Sequence, residues 1–271
     1  MLLIEAGKNK TNYVRELWQY RELLFFLTWR DLLVRYKQTA VGFLWHILKP
    51  FLLLITLTLV FGKLVHLGQD KGYPYVLLVI TGLLPWQFFA STLSDCSESL
   101  IVNYQLITKI YFPRILLPIS SMIITFIDFL ITAGMLCILL VYYRFVPPKE
   151  IIFLPFFIIE LLVLSFALGV WSAALNVRYR DCRQLVPFAI QFGLYISPVA
   201  FSGSIIPEKW RLLYHLNPMA GIIDGFRRTI IGGEESIYWP GQLVSICVIG
   251  IILYLGLTYY KHIEKFFADI I

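Results

Sequence analysis

Lys49, Asp128 and Glu160 stand inside long apolar stretches, where an ionisable group needs a partner, a cavity or the headgroups. Lys49 can offset anionic pyrophosphate or acidic sugars, or it can snorkel toward the surface. Asp128 shares a helical face with Ser121, Thr125 and Thr132. It can relay a proton, or it can be a structural acid satisfied by those hydroxyls, and its neighbours favour the structural role. Glu160 has no polar companions at helical spacing and receives no assignment. A second kind of signal is collective. Gln38, Trp45, Lys49, Thr56 and Lys63 fall within roughly 20° of one line at 100° per residue. Gln184, Gln191, Tyr195 and Ser202 form another line, with Phe188 beside it. Flat rings stack on the apolar face of a sugar while amides and hydroxyls bond its edges. That chemistry suits a sliding polysaccharide held by many weak contacts. Hydrogen bonding between helices is the competing explanation, but it needs only one or two polar groups per helix.

The elements that must position these residues are membrane spans. Of 271 residues, 59% are hydrophobic and only 15% charged, against about 25% charged in an average soluble domain. The expected fold is an all-α integral membrane protein with one transmembrane domain, 39–271, behind a cytosolic leader, 1–38. Six segments reach the ~20 apolar residues a crossing requires: near 39–65, 73–95, 114–142, 151–176, 184–203 and 240–260. Every span after the first starts at or near a breaker signal, namely Gly72/Pro74, Pro113, Pro147-Pro148, Pro187 and Pro240. With both termini inside, the inner segments carry fourteen Lys/Arg and the outer segments eight, which sets the orientation. The leader lacks an uninterrupted apolar core of signal-peptide type and reads as a basic amphipathic helix lying on the bilayer. Between the fifth and sixth spans, Pro207 opens one short apolar segment. Asn217-Pro218 opens another, closed by Gly232-Gly233. Both are too short to cross, so they are either re-entrant helices or helices on the outer leaflet, and re-entry is favoured. Ser165, Gly169, Ser172 and Asn176 mark a close-packing face of the fourth span.

The net charge of +6 reports topology rather than nucleic acid, since no basic cluster sits in a soluble domain. Cys96, Cys137, Cys182 and Cys247 are too scattered for a disulfide framework or a zinc site. No GxxxxGK[ST], HExxH or GxSxG occurs, so no catalytic, metal or nucleotide site is expected. The chain is then a passive or ion-coupled pathway, with Asp128 or Glu160 titrating, or it draws its energy from another chain. The leader, the 96–114 loop and the 176–183 loop offer docking surfaces for such a partner, although a solvated surface helix explains the 96–114 loop equally well.

Several strings together resemble a known family. They are RYKQTAVGFLW after Trp29-Arg30-Asp31, YFPRILLP entering the third span, and NVRYRD after the fourth. Ser197-Pro198-Val199, Ile206-Pro207, and LNPM with Asp224-Gly225-Phe226-Arg227 downstream complete the set. In order and spacing they resemble the membrane subunits of type-2 ABC exporters for polysaccharides, over nearly the whole chain. The likeness is strongest to permeases exporting lipid-linked O-antigen, with teichoic-acid and capsule permeases as near relatives. Ala40-Val41 departs mildly from the family's usual Val-Leu. The resemblance implies a homodimer in a bacterial inner membrane, paired with two ATPase subunits that bind ATP and Mg. It implies that the leader, Tyr13–Lys37 with Arg30 and Arg35, lies near the ATPase subunit. The loop near Glu98–Phe112, with Tyr104 and Lys109, resembles a coupling helix. The two short helices, with Trp210, Tyr214, Asn217 and Pro218, match periplasmic gate helices. First and fifth spans line the family's channel, which makes Gln38, Trp45, Lys49, Gln191 and Tyr195 the expected lining.

Overall fold

The computed structural model describes residues 17–37, 42–64, 73–179, 181–203, 206–232 and 238–264. Among them every regular element is helical. In chain order these are α1 (Arg21–Lys37), α2 (Gly42–Leu57), α3 (Tyr75–Val102), α4 (Tyr104–Lys109) and α5 (Leu116–Tyr142). They are followed by α6 (Leu154–Arg178), α7 (Cys182–Ile196), α8 (Glu208–Tyr214), α9 (Pro218–Ile230) and α10 (Trp239–Glu264). A π-helical stretch, Thr58–Leu64, continues α2, and a 3₁₀ turn, Lys149–Phe153, leads into α6.

Four helices are long and apolar enough to cross a bilayer: Tyr75–Val102, Leu116–Tyr142, Lys149–Arg178 and Trp239–Glu264. α2 carries Pro50 internally, and α7 has only 15 residues, about 22 Å against a ~30 Å hydrocarbon core. Within the 184–203 segment the helix stops at Ile196. Pro198 is the reason: the residue before a proline is pushed to extended backbone, and Ser197 sits at φ −82°, ψ 148°. α3, by contrast, continues past 95 to Val102, taking Asp95 and Glu98 with it. The segment resembling a coupling helix is correspondingly short, only the six residues of α4.

α3 is the central post. Leu77 through Trp86 are all buried, and α3 packs against α2, α5, α6, α7 and α9. One apolar cluster joins Leu77, Phe88, Phe129, Phe157 and Phe226 from α3, α5, α6 and α9. A second, at the other end, joins Leu27 of α1 to Leu100, Ile107, Phe112 and Tyr260. The expected packing face of α6 is confirmed: Ser165, Gly169, Ser172 and Asn176 are all buried, and Asn176 Nδ2 donates to the Ser97 carbonyl at 2.8 Å. A methyl on Gly169 would lie 3.0 Å from Cys96 Cβ. Close backbone approach of this kind is how apolar helices associate where lipid offers no hydrophobic contrast.

The two short helices differ. α8 buries none of its residues, whereas α9 is buried along most of its length, against α3, α6 and α10. Gly221 and Gly225 face neighbours so closely that added methyls would fall 2.7 Å from Ser245 Oγ and 2.1 Å from the Phe157 ring. The punctuation of α9 is as expected. Asn217 Oδ1 accepts the Met219 amide at 3.1 Å, and Pro218 supplies the first turn. Gly232, at φ +76°, lets the chain leave in a conformation that penalises any Cβ.

Candidate functional site

α2 and α7 both pack against α3, α2 also touching α5, and α7 touching α6. Each leaves one face uncovered. On α7 the exposed residues include Gln184, Leu185, Phe188, Gln191, Phe192 and Tyr195, with Tyr195 67% and Phe188 65% exposed. Phe188 and Phe192 stack, ring centroids 6.0 Å apart and 7° from parallel. On α2, Lys49, Phe51, Leu52, Ile55 and Thr56 are exposed. Lys49, Gln191 and Tyr195 thus all lie on open faces. Gln38, and the side chains of Trp45 and Lys63, lie outside the described residues. Such faces offer rings, amides and an ammonium to a polar, ring-stacking ligand.

The ends of these two helices are fixed to α3. Tyr75, its first residue, lays its ring against Gly62 in the π-helical stretch, where a methyl would lie 2.7 Å away. Its hydroxyl donates to the Ala200 carbonyl, just beyond α7. Trp86 packs on Gly193 of α7, whose absent Cβ would sit 2.7 Å from the ring. The segment after α7 is non-helical, so its carbonyls need donors away from water. Arg227 of α9 supplies them. It is 7% exposed, and its guanidinium donates to the carbonyls of Val199 at 2.7 Å, Phe201 at 2.5 Å and Leu78 at 3.3 Å. Asp224, 3.8 Å away, balances the charge. Asn217 adds a further tie, its Nδ2 donating to Ser197 Oγ at 3.0 Å. One planar cation therefore joins α9, α3 and the exit of α7.

Of the residues expected in the short helices, Trp210 is 59% exposed, and Tyr214 buries a hydroxyl that has no partner among the described residues. Asn217 and Pro218 form the α9 start described above. His215, which ends α8, is buried, and that burial, followed by the nearby Arg211 charge, pushes its imidazole below the ordinary histidine range.

The two intramembrane carboxylates are both engaged. Asp128 accepts the Tyr36 hydroxyl at 2.6 Å and lies 3.3 Å from Arg35 Nη1. Thr132 bonds the Asp128 backbone carbonyl instead of its carboxylate, and Thr125 meets Thr92 across the α3–α5 contact at 2.8 Å. Asp128 thus has partners on α1, Tyr36 and Arg35, which its own helix face did not announce. Glu160 accepts the Gln242 side-chain amide of α10 at 2.6 Å, and its second oxygen is buried without a partner among the described residues.

At the α4 end, Arg30 and Arg35 turn toward this chain. Arg30 Nη2 donates to Asn103 Oδ1 at 2.7 Å, and Arg35 Nη1 lies 3.2 Å from Asp95 Oδ2. Tyr104 and Lys109 of α4 are exposed. Burial, then the hydrogen bond to Asp128, raises the Tyr36 phenol above its ordinary range.

Sequence reasoning missed Arg227, Gly82 and Gln242. Arg227 entered only as an outer-loop charge and as the end of the Asp224–Arg227 string, although its i,i+3 spacing from Asp224 is a legible sign of a paired, buried cation. Gly82 makes room for it: a Cβ there would lie 2.8 Å from both Arg227 Nη2 and the Val199 oxygen. Gln242 carries no such signal. It stands three residues into α10, where a glutamine reads as a surface residue.

The chain is similar to several known proteins. The chain is 31% identical over 257 residues to the O-antigen export system permease protein RfbA of Klebsiella pneumoniae, covering 92% of this chain and 95% of that protein. It is 30% identical over 242 residues to the protein of the same name from Myxococcus xanthus, covering 89% and 91%. It is 24% identical over 245 residues to the polysialic acid transport protein KpsM of Escherichia coli, covering 87% and 91%. Residues 22–231 match the family described as ABC-2 type transporter. With a match of that length and membrane-crossing helices, the chain belongs to the ABC-2 type transporter family.

Proposed function

We propose that the chain is the membrane-spanning permease of an ABC exporter that moves a lipid-linked, O-antigen-type polysaccharide outward across the bacterial cytoplasmic membrane. ATP and Mg bind in a separate ATPase subunit, two copies of which serve a homodimer of this chain. Both termini face the cytoplasm. α2 and α7 complete six crossings, α2 aided by its π-helical continuation and α7 by the non-helical segment after it. α8 and α9 close the outer end.

The observation that carries this reading is the pair of open faces on α2 and α7, flanking one central helix. Lys49 and Gln191, exposed within apolar helices, each call for a polar partner or a cavity. A second copy facing the first would enclose them in a conduit whose rings stack on sugars and whose amides bond hydroxyls. Identity over about nine-tenths of the chain with permeases named for O-antigen export supports the substrate class. The likeness to the polysialic acid transport protein favours a second reading, a capsule-type or teichoic-acid polymer. An ion-coupled transporter or channel is the third alternative, and the engaged states of Asp128 and Glu160 argue against it.

The test is polymer export by Trp45→Ala and Gln191→Ala at normal protein level. Each is expected to lose export about tenfold or more, the worth of a lost stacking or hydrogen-bond contact per passing sugar. Unchanged export in both would reduce the two faces to packing surfaces. Co-purification of an ATPase subunit separates the exporter readings from the ion-coupled one.

A further inference from the structure

α1 is joined to the transmembrane helices by two kinds of contact. One is apolar: Leu27, 1% exposed, sits among Leu100, Ile107 and Phe112. Such burial holds surfaces together but fixes no register along them. The other is polar and directional. Arg35 reaches two carboxylates on two different helices, Asp95 of α3 at 3.2 Å and Asp128 of α5 at 3.3 Å. Tyr36, its neighbour, donates to the other oxygen of Asp128 at 2.6 Å. Two turns along α3, Arg30 donates to Asn103, whose own amide donates to the Ser99 carbonyl. Asn103 is the single residue between α3 and α4.

The clamp joins α1 to two of the long helices. α3 has 28 residues, about 42 Å, so roughly 12 Å of it projects beyond a ~30 Å hydrocarbon core. Asp95 and Asn103 belong to the last two turns of α3 and its junction with α4, whereas Asp128 stands near the middle of α5. A guanidinium fork has fixed geometry and cannot slide between acceptors without breaking charge-assisted bonds. Displacing α1 along its axis must therefore drag α3 and α5, or part the clamp.

We propose that Arg35, with Asp95, Asp128 and Tyr36, is a positioning cluster that converts movement of α1 and α4 into movement of α3 and α5. The inference rests on the reading of this chain as a permease driven by a separate ATPase subunit. It assigns Arg35 to a joint inside the permease rather than to the surface that meets that subunit.

The test uses the complete complex, this chain with its ATPase subunit, in vesicles where ATP hydrolysis and polymer export are measured together. Asp95→Asn/Asp128→Asn removes both charges that Arg35 holds. Adding Arg35→Gln removes the cation as well as its two carboxylates, which separates loss of the clamp from misfolding. Both variants are expected to export about tenfold less polymer per ATP hydrolysed, the worth of one or two charge-assisted bonds. Hydrolysis itself stays within about threefold, and Asp95→Glu/Asp128→Glu recovers about half the export. An unchanged ratio of export to hydrolysis would overturn the proposal. So would loss of the ATPase subunit, or of hydrolysis in step with export, in both variants, since the cluster would then serve docking or folding. An unsubstituted chain that holds no ATPase subunit and exports without ATP would sink the permease reading itself.

Discussion

Gly82→Ala tests the Arg227 joint without touching a charge. The methyl would lie 2.8 Å from Arg227 Nη2, 2.8 Å from the Val199 oxygen and 3.1 Å from Val199 Cα, against about 3.5 Å for unstrained contact. Nη2 and that oxygen are themselves bonded at 2.7 Å, so the methyl is aimed at the bond. The loop is held by Arg227, Asn217 and Tyr75 at once and has little room to withdraw. Overpacking costs about 1–3 kcal/mol, and a lost bond to a charged donor about 1.5–3 kcal/mol. Replacing a helical glycine by alanine returns about 0.5–1 kcal/mol. The net cost is about 1.5–5.5 kcal/mol. The detergent-solubilised protein should melt lower by on the order of 5–10 °C, and export should fall with it. Gly134→Ala and Gly250→Ala are the controls: both positions lie in helices and a methyl there meets nothing within 4 Å. These should hold or raise the melting temperature. If Gly82→Ala melts with the controls, Arg227 is not the joint described here.

Glu160→Gln keeps an acceptor for Gln242 and should retain export within about twofold, whereas Glu160→Ala leaves a buried amide unpaired and should cost about 1–3 kcal/mol in thermal stability; abolition of export by the glutamine variant would favour ion coupling. Asn217→Ala removes the α9 cap and the bond to Ser197, and should lower stability by about 1–2 kcal/mol, with Asn217→Asp losing less in a melting assay. His215 carries a lowered pKa when folded, so the unfolded chain binds more protons as pH drops below the ordinary histidine value of about 6.5. Stability should be full above that value and decline as pH falls beneath it, and His215→Gln should flatten the melting temperature against pH between about 5 and 7.

The helices were legible because apolar length and proline punctuation are local properties. The α9 boundaries were legible for the same reason: Asn217, Pro218 and Gly232 act within a turn of themselves. The stripe on α7 was legible because a period of 3.6 needs no partner to be seen. Other features depend on partners far away in sequence. Asp128 looked served by Thr125 and Thr132, yet its partners come from residues 35 and 36. Glu160 gave no signal, since Gln242 lies 82 residues away. The end of α7 was missed because an apolar run continues through Pro198-Val199-Ala200-Phe201. Hydropathy cannot tell a helix there from extended chain whose carbonyls an arginine satisfies.

That last ambiguity bears on how the wall of a conduit is built. α7 packs on α3 and α6 along one side and leaves the other open, so it cannot draw its position from burial as α3 does. A helix so poorly covered needs a fixed end, and non-helical backbone at membrane depth would ordinarily be the wrong place for one. Arg227 reverses the argument. Because Val199 and Phe201 have left the helix, their carbonyls are free to accept, and a single fork can hold both together with Leu78 of the central helix. The break after Ile196 is therefore what allows α7 to be anchored at one end while its aromatic face stays uncovered. Extending the helix through 203 would return those carbonyls to i→i+4 bonds and leave the guanidinium only Asp224 and the Leu78 carbonyl. Pro198→Ala, which removes the block to helix, should for that reason destabilise the protein by about the worth of the bonds to Val199 and Phe201, about 1.5–3 kcal/mol each, if the helix extends; if export and melting are unaffected, Arg227 alone sets the break.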